Sequence, residues 1–251
     1  TSRVGSLHGL QTGSGPEPRP KILLATHMDA IGLMVSGYAG HCLRITAVGG
    51  VDHRVLPGQR VTVHEREDLP GVVAQPPPDL IPDGDKNKAV AMKYLLVDVG
   101  LNAEALHEKV RIGDLISFAQ EPLRMGESIL AGHSLDNRVS VVALTLALEE
   151  LKARSHAWDV WAVATAQEEE TMAGAKTSAF DLRPDLAVAV DVTFGEGPGS
   201  PKHKAYPLGE GIALGWGPIV HPALHAEFKK VAEELEIPFD LEPLPRRSGT
   251  D

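Results

Sequence analysis

Short apolar runs alternate with polar segments along the whole chain, and their spacing predicts the secondary structure. Three runs predict buried strands: residues 21–26 (KILLAT), 159–166 (DVWAVATA) and 185–192 (DLAVAVDV). Apolar residues recur at helical spacing over residues 136–152, 173–180 and 222–236. The third of these segments predicts an amphipathic helix with Leu224, Phe228, Val231 and Leu235 facing inward. Strands that alternate with helices in this way predict an α/β sheet.

The middle of the chain has a different pattern, with little helical periodicity. Short apolar runs are separated by glycine, proline and charged residues, at 43–48, 60–65, 71–75, 94–100 and 114–119. This spacing predicts a small β-barrel or sandwich, interrupted by a proline-rich loop at 76–88. A further strand at 32–37 (GLMVSG) is assigned to the first segment of the chain. We therefore predict an α/β domain of residues 1–37 and 125–251 that carries residues 38–124 as an inserted β domain.

Composition narrows the class of protein and its partners. With 251 residues and 43% hydrophobic content, the chain can form one large domain that carries a smaller one. The formal net charge of −10 argues against a nucleic-acid partner, which requires a basic surface. No apolar run approaches the roughly 20 residues that span a bilayer. A single cysteine, Cys42, and no secretory signal at the start predict a cytoplasmic protein.

Polar residues stand where the predicted strands end. In the stretch LLATHMDAIG, His27 and Asp29 are two positions apart and project from the same face of the strand. Asp136 stands at the start of a predicted helix, and Asp191 lies within an apolar strand. Glu168, Glu169 and Glu170 follow a buried strand directly. In open α/β sheets ligands bind beyond the carboxyl ends of the strands, which is where these residues fall.

Each cluster also has an ordinary structural explanation. The histidine could be a hydrogen-bonded core residue, Asp136 could cap its helix, and the glutamates could form a solvated turn. Asp191 is harder to explain in this way, because an unpaired carboxylate is costly to bury. Taken together, one imidazole and several carboxylates at one edge suit Zn²⁺, Co²⁺ or Mn²⁺. Such a density of negative charge favours a bound cation.

These segments resemble the M42 metallo-aminopeptidases, a family whose members form tetrahedral assemblies. The resemblance rests on four ordered motifs: ATHMDAIGLMV, SLDNRV, AQEEETMAGAKTSAF and DLAVAVDVT. It covers nearly the whole chain and implies a zinc-exopeptidase-like mixed sheet flanked by helices, with an inserted small β-barrel domain that makes subunit contacts. It also implies peptide substrates and a homo-oligomer, with a dodecamer among the candidates.

The resemblance implies a site with two divalent metal ions, Zn²⁺ or Co²⁺. His27, Asp136 and Asp191 would hold one ion, and Asp136 and Glu169 would hold the second. The family's histidine for the second metal lies beyond the Gly-Thr-Asp motif, which stands here at 249–251. We therefore expect a chain that ends there to bind about one metal tightly.

The resemblance also implies the catalytic roles. Glu168 would be the general base that takes a proton from a metal-activated water, and Asp29 would orient His27. The implied function is a dinuclear metallo-aminopeptidase that removes N-terminal residues from peptides.

Two other functions remain open. Relatives have carried endoglucanase labels, and Glu168 with a second carboxylate could serve a glycoside hydrolase. The aromatic content of 4% is low for a sugar site, and His27 and Asp191 would have no role in that chemistry. The other alternative is a non-catalytic assembly or binding homologue that keeps the fold. Metal analysis together with an aminoacyl p-nitroanilide assay separates the three.

Overall fold

A computed structural model describes residues 1–85, 88–201, 203–246 and 248–251. The strands are β1 (Leu7–Gln11), β2 (Lys21–His27), β3 (Gly32–Ala39), β4 (Cys42–Val48), β5 (Arg60–Val63), β6 (Leu69–Ala74), β7 (Leu96–Asp98), β8 (Leu115–Phe118), β9 (Leu123–Met125), β10 (Ile129–Ala131), β11 (Asp159–Thr165), β12 (Leu186–Ala189), β13 (Ile212–Trp216) and β14 (Phe239–Pro243). The α-helices are α1 (Ala103–Lys109), α2 (Leu135–Leu151), α3 (Glu168–Thr171), α4 (Ala173–Leu182) and α5 (Pro222–Glu234).

A four-stranded mixed sheet, in the order β1-β11-β2-β12, forms the centre of the α/β part. Strands β11, β2 and β12 are parallel, and β1 is antiparallel to β11. Leu23 and Ala25 lie in a buried cluster with residues of α4, whereas the next side chain, Thr26, contacts α2 through Asn137. Since neighbouring side chains of a strand point to opposite faces, helices cover both faces of the sheet. The predicted fold class, a mixed sheet flanked by helices, is confirmed.

The inserted β-barrel is also confirmed, as a closed barrel in the order β3-β4-β7-β6-β5-β8. Its core is aliphatic and includes Val35, Leu43, Val63 and Val97, all of which are fully buried. The strand predicted at 32–37 is β3, which pairs with β4 and β8 and therefore belongs to the barrel. The domain limits at 37/38 and 124/125 stay a prediction. Of the predicted loop at 76–88, residues 86 and 87 lie outside the described residues.

The apolar stripe of the last helix is less buried than its pattern predicts. Helix α5 connects β13 to β14, which pair in parallel as a two-stranded sheet. It packs against β13 and buries Ala232, whereas Phe228, Val231 and Leu235 are exposed. The prediction that these three face inward is wrong for the described residues, because α5 packs mainly against β13 and this contact leaves them exposed.

None of the described helices could cross a bilayer. The longest of them, α2, has 17 residues.

Candidate metal centre

His27 lies at the centre of the polar cluster, at the last position of β2. The strand carries it out of the apolar layer formed by Leu23 and Ala25, and its side chain is only 2% exposed. Its Nε2 atom lies 3.0 Å from Asp136 Oδ1 and 3.6 Å from Asp191 Oδ1. A buried imidazole therefore faces carboxylates that belong to two other segments of the chain.

The start of α2 positions Asp136 at the end of β2. Asp136 and Asn137 have non-helical backbone angles, and the peptide bond between them is cis. The Asn137 amide donates to Thr26 Oγ1 at 3.0 Å and to the Val190 carbonyl at 2.9 Å. Asn137 thus fixes the start of the helix to the ends of β2 and β12, and this places the Asp136 carboxylate beside His27.

The turn after β11 separates its three consecutive glutamates. Gln167 has a left-handed backbone conformation with φ of 63°, which ends the strand and starts the single-turn helix α3. Glu168 points inward and is buried, Glu169 is half-buried, and Glu170 is exposed. Glu168 Oε2 lies 3.8 Å from His27 Nε2. The interpretation of the glutamates as a solvated turn is therefore wrong for Glu168 and Glu169, and only Glu170 is exposed.

Asp29 connects the His27 strand to this turn. Its carboxylate accepts from the backbone N–H groups of Glu168 at 3.1 Å and Glu169 at 3.3 Å. His27 Nδ1 lies 3.2 Å from the Asp29 carbonyl oxygen and 3.7 Å from its carboxylate. The backbone carbonyl of Asp29 therefore lies within hydrogen-bonding distance of the buried His27 imidazole. The Asp29 carboxylate, in turn, holds the glutamate turn.

Asp191 lies two residues beyond β12 and is held by residues that sequence reasoning did not single out. The Thr250 hydroxyl donates to one oxygen of the Asp191 carboxylate, and the Val192 N–H donates to the other at 2.8 Å. The Thr165 hydroxyl donates to the neighbouring Asp251 carboxylate, and Thr165 pairs with His27 in the sheet register. The only sequence signal for this contact is the Gly-Thr-Asp motif at 249–251.

Glu170 makes a contact that the sequence also did not reveal. Its Oε1 atom accepts from the backbone N–H of Gly49 at 2.6 Å, in the loop that follows barrel strand β4. A side chain at Gly49 would meet Ile31 at 2.7 Å and Glu169 at 3.4 Å. The barrel therefore packs directly against the turn that carries the site glutamates.

The protonation equilibria reflect the crowding of negative charge around one imidazole. Although burial disfavours the imidazolium, the surrounding carboxylates, Asp191 first among them, raise the pKa of His27 to about 9. Burial, reinforced by nearby carboxylates, raises the pKa of Glu168 to about 7. Burial would also raise the pKa of Asp191, but hydrogen bonds from His27 and Thr250 outweigh it and lower that pKa. The site therefore retains protons at neutral pH that separate side chains would release.

The donor set fits a divalent cation. The site contains two groups of three possible ligands, and within each group the ligand atoms lie within 4.8 Å of one another. One group is His27, Glu168 and Glu169, and the other is His27, Asp136 and Asp191. Glu168 Oε1 is buried without a hydrogen-bond partner, which is costly for a polar atom unless a ligand satisfies it. Imidazole and carboxylate are ligands that Zn²⁺ accepts. The structure thus brings all six residues predicted for the site together at one edge of the sheet.

Comparisons with known proteins agree with this geometry. The family model described as M42 glutamyl aminopeptidase matches residues 5–251. The lysyl aminopeptidase of Pyrococcus furiosus is 36% identical over 92% of this chain and 68% of its own length. A TET aminopeptidase from the marine sediment archaeon Thaumarchaeota archaeon SCGC AB-539-E09 is 28% identical, with a TM-score of 0.89 over 99% of this chain and 72% of that one. The TET1 peptidase of Pyrococcus horikoshii, described as assembling into a tetrahedron or a large octahedral shell, is 28% identical, with a TM-score of 0.83 over 99% of this chain and 74% of that one.

Proposed function

Because the chain belongs to the M42 glutamyl aminopeptidase family, we propose that it is a metal-dependent aminopeptidase that removes N-terminal residues from peptides. One observation carries the proposal: a buried imidazole and carboxylates from separate segments converge within 4.8 Å at the ends of parallel strands. Peptidases of this family depend on metals, and the donor set at this edge fits that chemistry.

We propose two divalent cations, Zn²⁺ or Co²⁺, as the cofactors, of which residues 1–251 would hold the first tightly and the second weakly. His27, Asp136 and Asp191 would hold the first, and Asp136 and Glu169 would contribute to the second. Bound there, such cations lower the pKa of water and polarise a carbonyl group. Asp136 is the proposed shared ligand, as the resemblance to the family implies, and its side chain is the most exposed of this set.

Glu168 is the proposed general base. Its pKa, raised to about 7 by burial, is close to that of a base that must both accept and return a proton at neutral pH. Glu168 takes a proton from the attacking water and delivers it to the amine nitrogen as the peptide bond breaks. Asp29 holds the turn that carries Glu168 through its backbone N–H, so that the carboxyl group stays beside His27.

The excess of carboxylates also favours an exopeptidase over an endopeptidase. Burial, together with neighbouring carboxylates, raises the pKa of both Glu169 and Asp251, as expected where several carboxylates share one site. A substrate with a free amino group brings positive charge to this position, whereas an internal peptide segment brings none.

A substrate panel tests the proposal directly. The chain is treated with a chelator, reloaded with Zn²⁺ or Co²⁺, and given aminoacyl p-nitroanilides, their N-acetylated forms and a β-glucan oligosaccharide. We expect hydrolysis of the free-amine anilides alone, and we expect His27→Ala to lose both metal and activity. Cleavage of the glucan without the anilides would establish a glycoside hydrolase instead. Bound metal with no hydrolysis of any substrate would indicate a binding homologue.

We also propose that the protein forms a homo-oligomer, as the assembling TET1 peptidase suggests, and that the barrel makes the subunit contacts. Large apolar side chains are exposed on the barrel, including Val55, Leu80 and Ile112. Exposed apolar surface of this kind is typical of subunit interfaces.

The proposed cytoplasmic location has separate support in Cys42, a buried free thiol that needs no oxidising compartment.

Light scattering after size exclusion should give a mass several times that of the 26.8 kDa chain. Substituting Leu80 and Ile112 together with glutamate should reduce that mass, because buried charge without a partner disfavours association. Leu208→Glu is the matched control, since Leu208 is equally apolar and exposed but lies outside the barrel. A monomeric unmodified chain would contradict the proposed assembly.

A further inference from the structure

A second group of metal-ligating side chains lies on the barrel, away from the catalytic residues. The β3–β4 hairpin turns at Gly40, where φ is +64°, and is followed by His41 and Cys42. Strand β4 is antiparallel to β7, with Leu43 opposite Val97 and Arg44 opposite Leu96. The same register places Cys42 opposite Asp98.

Cys42 and Asp98 share the outer face of the barrel. Leu43 and Val97 point into the barrel core, so the adjacent residues on each strand point outward. Directly opposed residues of an antiparallel pair have neighbouring side chains. His41, in the turn, completes a group whose ligand atoms all lie within 4.8 Å of one another.

We propose that His41, Cys42 and Asp98 bind a divalent metal ion of the zinc class. One sulfur, one nitrogen and one oxygen ligand are a donor set that Zn²⁺ and Co²⁺ accept. Bond lengths to Zn²⁺ imply ligand atoms about 3.5 Å apart in a tetrahedral site. The ligand atoms, now within 4.8 Å of one another, would have to approach by about 1 Å, and His41 is exposed.

The surroundings leave room for the ion and a further ligand. His41 and Asp98 line an open cavity of about 660 Å³ between the hairpin and the start of α1. Asp98 Oδ1 accepts from the Gly100 N–H at 2.8 Å, which fixes the carboxylate and leaves its second oxygen available. A fourth position can therefore be taken by water from the cavity.

The alternative role for Cys42, a reactive thiol, has less support. The side chain is 9% exposed, and burial together with Asp98 raises the pKa of the thiol. A protonated, buried thiol is a poor nucleophile. A bound cation would lower the pKa of the Cys42 thiol, because it attracts both the thiolate and the Asp98 carboxylate. Binding there would tie the hairpin to β7 and stabilise the folded barrel by mass action.

Cobalt substitution tests the site independently of the proposed peptidase activity. Cys42 is the only cysteine in the chain, so a thiolate-to-cobalt charge-transfer band in the near ultraviolet can arise at this site alone. We expect the chelator-treated chain to show that band once Co²⁺ is added in excess of what the catalytic cluster binds, with a final intensity that corresponds to one Co²⁺ at the Cys42 site. The band should disappear in Cys42→Ser, weaken in Asp98→Asn and persist in His27→Ala, which removes a ligand of the catalytic cluster instead.

Thiol labelling supplies a second measurement. Zn²⁺ should slow alkylation of Cys42 by iodoacetamide in the unmodified chain, and this protection should be lost in Asp98→Asn and in His41→Ala. Circular dichroism of each variant confirms that it is folded. The absence of a charge-transfer band in a folded chain whose catalytic cluster is saturated with Co²⁺ would overturn the proposal. Equal protection of Cys42 in Asp98→Asn would also overturn it, because the carboxylate would then not be a ligand.

Discussion

Glu168→Gln is expected to lower kcat on an aminoacyl p-nitroanilide by about 10²–10⁴-fold, the usual cost of removing a general base. Glutamine has the same shape as glutamate but cannot accept and return the proton. Glu168 is not among the residues proposed to hold the metals, so metal content should stay nearly unchanged. Steady-state kinetics and elemental analysis on the same preparation give both quantities.

The neighbouring glutamates are the controls for this substitution. Glu169→Gln removes a proposed metal ligand and should lower metal content. Glu170→Gln changes a carboxylate that contacts Gly49 in the barrel, and it should leave metal content unchanged. If Glu168→Gln loses metal while Glu169→Gln keeps it, the roles of base and ligand are interchanged.

The metal-free protein should lose stability as the pH rises from 5 to 9, with a fall in Tm on the order of 10 °C for a domain of this size. The pKa of Glu168 is raised from 4.5 to about 7 in the folded chain. The pKa of His27 is raised from 6.5 to about 9. In both cases the folded state binds the proton more tightly than the unfolded state does, so protonation favours folding.

The pH windows follow from these values. The contribution of Glu168 is complete below pH 4.5 and is lost as the pH rises through 7. The contribution of His27 is complete below pH 6.5 and is lost as the pH rises through 9. Bound cations replace the lost protons, so the difference in Tm between metal-loaded and metal-free protein should grow with pH.

Thermal melts across this range, with and without Zn²⁺, measure the effect. Glu168→Gln is the informative variant, because it removes the carboxyl group whose ionisation is costly. Its metal-free form should lose less stability between pH 5 and 7 than the unmodified chain. A Tm of the metal-free chain that rises over the same range would contradict the assigned electrostatics.

The fold class could be predicted because strand and helix periodicities are local properties of the chain. Which other strands or helices an element packs against depends instead on distant parts of the chain. The strand at 32–37 was predicted, but nothing in its pattern shows that Gly32–Ala39 pairs with β4 and β8. The stripe on α5 likewise predicts a buried face without showing how much of it the β13–β14 pair can cover. Periodicity identifies the element, and packing decides its exposure.

The polar positions around the candidate metal centre could be located because each stands near a predicted strand or helix end, and the resemblance to the family then selected six of them. The hydrogen bonds that support these residues could not be predicted from the sequence, because their partners come from distant segments of the chain. Thr250 reaches Asp191 across 59 positions, and Asp251 reaches Thr165 across 86. Hydroxyl and carboxylate groups are common in loops, so composition alone does not distinguish these two residues from solvated ones.

The packing of Gly49 against Ile31 and Glu169 limits how barrels can be exchanged between relatives. A chimaera that keeps the α/β part and takes a foreign barrel must supply a residue without a β-carbon at this point, since a side chain there would lie 2.7 Å from Ile31. It must also present a backbone N–H to Glu170. The barrel is therefore not an interchangeable attachment, because its loop after β4 and the glutamate turn must match, and we expect grafts that ignore this contact to displace Glu169 and Glu170.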